Sequence, residues 1–311
     1  MSALIEEVGT TGKAPTSITI EEAPGNAAGA ASKAEAKEET GSFSFTALGD
    51  AEFPLMADRE TKNLFEKWGM APTNSFLAFR FDERFAPEKM DAFCADFFHS
   101  AEARAALGMS VLSVSSASSG GTSRALPRGS ACCCKLVPTT QVRMDFFNRL
   151  REEGMVAGES GRIRQCMPEY YDGVESGSML REMALNEDSE HALVYDDEEK
   201  DEFLYRVFRH LIIGGGMCQP DETIEPYFRC TREIMKGLLT VKKVKSADIN
   251  AAGTGNKAKV VVTSQVIAVE GTERNVPGLF PKDNDHNLCY LIVDPSKRRV
   301  VVWRNAWTSI W

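Results

Sequence analysis

The sequence predicts an α+β fold, a mixed or antiparallel sheet with helices packed against it, behind a disordered N-terminal tail. Three observations carry this. Strand-like and helix-like patterns alternate from Phe43 to Ser100, which argues against a helical bundle or an all-β barrel. A helical pair joined by glycines spans Asp201 to Val241. Near the end, NLCYLIVDPSKRRVVVWR sets two β-rich runs around Asp294-Pro295-Ser296-Lys297, a good turn, and so predicts an antiparallel hairpin.

Residues 1–42 are rich in Ala, Glu, Gly, Lys and Thr and hold no aromatic residue. Such a segment buries too little apolar surface to offset its ordering entropy, so a disordered tail is expected. A single globular domain is expected over 43–311. SFSFTAL opens it at Ser42 with a short strand. Asp58 then caps a helix that carries Leu64, Phe65 and Trp68 on one face and stops at Gly69. The run from Ser75 to Phe85 suits a strand, and the next helix buries Met90, Phe93, Phe97 and Phe98. From about 113 to 134, SVSSASSGGTSRALPRGSACCC reads as a flexible insertion. Lys135 to Val137 is ordered again. A helix is expected from Thr140 to Glu153 with Val142, Phe146, Phe147 and Leu150 inside, and another around Ser178 to Leu185.

Within the central pair, Phe203, Leu204, Val207, Phe208, Leu211 and Ile212 make a wide apolar stripe. Asp201 and Glu202 precede it, and Arg206, Arg209 and His210 fall towards its end, as the helix dipole favours. Gly214 to Gly216 end it, and the second helix runs from near Pro226 to Leu239 with Tyr227, Cys230, Ile234 and Leu238 inward. VKKVK and Ala258 to Glu270 read as strands separated by a loop.

The chain has 311 residues, 43% of them apolar, and a formal charge of -9 from 36 basic and 45 acidic side chains. That balance argues against a general nucleic-acid binder. No apolar run approaches the ~18 residues of a membrane span, and the acidic N-terminus does not suit a signal peptide. Eight cysteines without such a signal read as reduced thiols, so a soluble intracellular protein is expected.

No motif announces catalysis. Cys132, Cys133 and Cys134 are adjacent, a poor geometry for one tetrahedral ion, and read better as incidental thiols in a loop. Gly214 to Gly216 lack the Lys-Ser pair and following helix of a phosphate loop, so a helix cap explains them. His99, His191, His210 and His286 are scattered, although His210 and Cys218 could meet in space as a nucleophile pair. The acidic run Asp196 to Glu202 lacks calcium-loop spacing and reads as a solvated cap. Lys242, Lys243 and Lys245, and Lys297-Arg298-Arg299, read as solvated basic clusters. The alternative for them is contact with an acidic surface such as tubulin or a chaperone tail. No catalytic, cofactor or metal residue is expected.

Several blocks resemble the cilia- and flagella-associated protein 300 family: FFNRLREEGMVAGESGRIRQC at Phe146 to Cys166, Asp201 to Lys243 with HLIIGGGMCQ, and YLIVDPSKRRVVV at Tyr290 to Val302. Weaker similarity runs from Phe43 to Leu107. The first 42 residues and the insertion at 113–134 depart from the pattern. The resemblance implies a non-enzymatic assembly or transport factor for outer and inner axonemal dynein arms, present in cytoplasm and cilium. It implies contact with dynein assembly factors, dynein arm subunits and the intraflagellar transport machinery, and with neither nucleic acid nor membrane. It transfers no catalytic or ligand residue. A structural component resident in the axoneme and an enzyme with a spatially assembled Cys/His site are the competing readings.

Overall fold

A computed structural model describes residues 42–49, 53–109, 133–244, 259–270, 276 and 278–307. The tail expected at 1–42 lies outside these except for Ser42, as does the insertion except for its last two residues. The strands are β1 (Phe45–Ala47), β2 (Asn74–Phe81), β3 (Cys133–Val137), β4 (Tyr170–Tyr171), β5 (Val174–Glu175), β6 (Val241–Val244), β7 (Lys259–Val262), β8 (Gln265–Glu270), β9 (Leu288–Asp294) and β10 (Arg299–Asn305). The α-helices are α1 (Pro54–Ala57), α2 (Arg59–Lys67), α3 (Met90–His99), α4 (Ala101–Ala106), α5 (Arg149–Glu152), α6 (Met179–Leu185), α7 (Asp197–Asp201), α8 (Phe203–Ile213) and α9 (Glu225–Leu238).

One six-stranded sheet, ordered β1-β2-β10-β9-β8-β3, organises the molecule, and every pairing in it is antiparallel. The α+β expectation therefore holds, in its antiparallel form. Side chains alternate strictly between two cores. Tyr290 and Ile292 of β9 and Val301 and Trp303 of β10 face α6, α8 and α9. Cys289, Leu291, Val293, Val300 and Val302 face α3 and α4. Because both faces are covered, LIV and VVVW are continuous apolar runs, which an antiparallel sheet wet on one side would not need. The expected hairpin is β9–β10. Asp294 Oδ1 accepts from the Ser296 and Lys297 amides at 3.0 and 3.1 Å and closes the turn.

The second core is aromatic. Phe93 meets the rings of Phe43, Phe45, Phe81 and Phe85 edge-on, with centroids 5.0–5.2 Å apart, a geometry favoured by the ring quadrupole. α8 lies in the other core, and nine of its eleven residues are buried: Phe203, Leu204, Tyr205, Val207, Phe208, His210, Leu211, Ile212 and Ile213. It is a central helix, wetted only along Arg206 and Arg209, and the one-sided stripe expected for it is too narrow.

Four local expectations are corrected. The helix expected over Thr140 to Glu153 is a 3-10 helix at Met144–Asn148 followed by α5, and Val142 is 38% exposed. The segment before it is extended, and its Thr140 and Gln141 amides donate to the Glu202 carboxylate at 3.0 and 3.2 Å. The acidic run is a solvated cap only in part: Asp196, Asp197 and Glu198 are exposed, but the rest is paired or buried. It contains α7, whose Asp196–Glu199 capping box is complete. Glu199 pairs with Arg149, Asp201 pairs with Lys135 and Arg206, and Glu202 is buried. Cys133 and Cys134 lie in β3, opposite Glu270 and Val269, and so are not in a loop. Finally, the strand expected over Ala258 to Glu270 breaks at Thr263-Ser264, and β7 pairs with β6 as a separate ribbon.

Candidate functional site

The glycine bend after α8 is a structural junction. Gly214 adopts φ 70° and ψ -162°, a region closed to other residues, and ends the helix. The Gly215 amide donates to the Trp68 carbonyl at 2.8 Å, and a Cβ on Gly215 would strike the Gly69 carbonyl. α2 is docked there. Its Lys67 and the Trp68 indole reach the two oxygens of Asp221 at 2.6 and 2.8 Å, and Trp68 stacks on Tyr227 at 4.6 Å. The glycines thus serve close backbone approach, in keeping with a cap and not with a phosphate cradle.

His210 and Cys218 flank this bend without forming a nucleophile pair. The Trp303 indole N–H, a donor only, points at Asn74 Oδ1 at 2.8 Å, so that atom is an acceptor. His210 Nε2, 3.1 Å from the same oxygen, must therefore carry its proton. Burial, helped by Arg209 and His286, lowers the His210 pKa to about 3, so the ring is neutral. Burial raises the thiol pKa of Cys218, and pushes those of Cys230 and Cys289 up to about 12. These thiols are protonated and inert near neutral pH.

A polar cavity of about 310 Å³ opens beside His210 and is lined also by Lys200, Arg206, Arg209, Asp285 and His286. The His286 ring is buried against Trp307, and neither of its nitrogens has a protein partner. Its pKa falls to about 4, through burial and Arg209, with Asp172 and Asp285 opposing. Among the described residues no group of three or more His, Cys, Asp or Glu is placed to hold a metal. His99 contacts its own helix at Ala95, and the side chain of Cys133 and all of Cys132 lie outside the described residues. No described helix is long and apolar enough to cross a membrane.

The feature that sequence reasoning missed is a groove of about 600 Å³ between the extended segment Thr140 to Met144, α9 and the start of β6. Leu204, Met235 and Leu239 form its floor, and Val142 and Val241, 38% and 51% exposed, form its walls. Arg143, Arg232 and Lys236 stand around it, and no carboxylate lines it among the described residues. The signal was half legible. Arg232, Met235, Lys236 and Leu239 recur at i, i+3, i+4 and i+7 and so share one stripe of α9. The opposite wall was hidden because Thr140 to Arg143 looked helical. Lys242, from the basic cluster read in sequence, follows Val241 and is exposed; Lys245 lies outside the described residues. Lys297 and Arg298 do not form a free patch, since Lys297 pairs with Asp294 and Arg298 donates to the Asp82 carbonyl.

A family model described as cilia- and flagella-associated protein 300 matches residues 42–305. The protein of that name from Paramecium tetraurelia is 25% identical over 259 residues, 83% of this chain and 91% of the relative. Its Chlamydomonas reinhardtii counterpart is 30% identical over 177 residues, 57% of this chain and 66% of the relative, just under two thirds of its length. No solved structure matches. With the model covering nearly every described element, from β1 to the end of β10, the chain belongs to the cilia- and flagella-associated protein 300 family.

Proposed function

We propose that the protein is a non-enzymatic assembly or transport factor for the outer and inner dynein arms of motile cilia and flagella. Membership of a cilia- and flagella-associated family carries this reading. The site chemistry is in keeping with it: the Cys218, Cys230 and Cys289 thiols are protonated, His210 is neutral, and the groove beside α9 is an open, basic-rimmed apolar surface suited to a protein segment. The partners are dynein assembly factors and dynein arm subunits, with the intraflagellar transport machinery as carrier, and the places of action are cytoplasm and cilium.

A clean null is expected to lose both rows of arms while the doublet microtubules stay intact, as read by electron microscopy of axonemes. A null with normal arms sinks the proposal. Tagged protein purified from cell-body cytosol is expected to bring down dynein heavy chains and their assembly factors. Recovery of the tag only on salt-washed doublets, at fixed stoichiometry, replaces the assembly role with that of a resident axonemal component.

A further inference from the structure

The groove between Val142 and Val241 has a chemistry that specifies its occupant. Its floor is apolar and packed into the core: Leu204 is fully buried, and Met235 and Leu239 are nearly so. Its rim is cationic. The side chains of Arg143 and Arg232 have no hydrogen-bond or ion-pair partner among the described residues. Lys236 reaches Glu233 of its own helix at 2.7 Å. In a chain of net charge -9 with 45 acidic residues, two unpaired arginines beside an open apolar channel are a local inversion of the surface. Among the described residues no aromatic side chain lines the groove, so they offer no platform on which bases could stack.

We propose that this groove docks an amphipathic segment of a partner protein, apolar on the face that meets Val142, Val241 and the exposed edges of Met235 and Leu239, and acidic along the edges that meet Arg143 and Arg232. Apolar contact supplies affinity, and charge complementarity sets register and excludes basic or neutral segments. Val142 and Val241 become buried on docking. The wall carrying Arg143 is tethered in place, because Glu202 accepts from the Thr140 amide and hydroxyl and from the Gln141 amide. This proposal rests on the reading of the chain as a protein-binding factor and does not depend on which dynein component is bound.

The test places a photo-crosslinking residue at Val241 of the full-length protein in ciliated cells and maps the captured peptides by mass spectrometry. Crosslinks to one partner segment with acidic residues flanking an apolar face are expected. The double variant Arg143→Glu/Arg232→Glu should reduce their yield about tenfold or more, with thermal stability unchanged. Reversing the captured acids to lysine should restore yield to that variant. Crosslinks that land on nucleic acid, lipid, a second copy of this chain or a neutral segment overturn the proposal, as does yield indifferent to the charge reversal or the absence of any crosslink. Arm assembly in the same cells separates the two ideas. A captured acidic partner outside the dynein system leaves the groove standing and removes the dynein role. Arms lost in the null, with no crosslink in the groove, do the reverse.

Discussion

Phe208 is fully buried, with its ring centroid 4.3 Å from that of Phe147 and 5.6 Å from that of Phe228. It joins α8 to α9 and to the 3-10 helix that precedes α5. Truncating a ring so enclosed removes its transfer energy and leaves a cavity that rigid neighbours cannot fill. Phe208→Ala is therefore expected to destabilise by about 3–5 kcal/mol in chemical denaturation. A midpoint equal to wild type would show that the cluster collapses around the gap. This residue's role was legible from the 3.6-residue period alone. The role of His210, two residues on, was not: it was read as a cation at a helix end, but tertiary packing against Trp303 makes it a neutral core donor.

The junction of α7 and α8 shows how an element depends on one buried carboxylate. Glu202 accepts from the Thr140 amide and hydroxyl and the Gln141 amide, at 3.0, 2.5 and 3.2 Å. Glu202→Ala leaves these donors without their acceptor, and a cost of about 2–4 kcal/mol is expected, with charge-assisted bonds at the upper end. Hydrogen exchange at the Thr140 and Gln141 amides is the direct readout. Exchange as slow as in wild type would mean that another acceptor replaces the carboxylate. The sequence showed six acids among the seven residues from Asp196 to Glu202 and could not reveal which of them faced inward, because partners such as Arg149, Lys135 and Thr140 lie about 50–66 positions away in the chain.

At the scale of the whole molecule, two buried imidazoles tie stability to pH. His210 and His286 have folded pKa values near 3 and 4, below the ordinary 6.5. The unfolded chain then binds more protons than the folded one between those values. Their contribution is complete above about pH 6.5 and declines as pH falls towards the folded pKa values. At pH 5 each is expected to cost about 2 kcal/mol. Replacing His210 with glutamine should flatten the slope of unfolding free energy by about half a proton at pH 6.5, rising to nearly one proton, about 1.4 kcal/mol per pH unit, at pH 5. An unchanged slope would place a charged His210 in the folded state.

What the sequence by itself determined is whatever local chemistry dictates. The helical period of α8 and α9, the Asp58 cap, the β9–β10 turn and the α+β class follow from neighbours within a few positions in the chain. Only the tertiary structure decided that the sheet is antiparallel throughout and covered on both faces, because strand partners such as β2 and β10 are separated by most of the chain. The same holds for the groove. Its apolar stripe on α9 is written in an i, i+3, i+4, i+7 pattern, but its second wall is anchored by the Glu202 carboxylate at Thr140, a contact across 62 residues that no local pattern reveals.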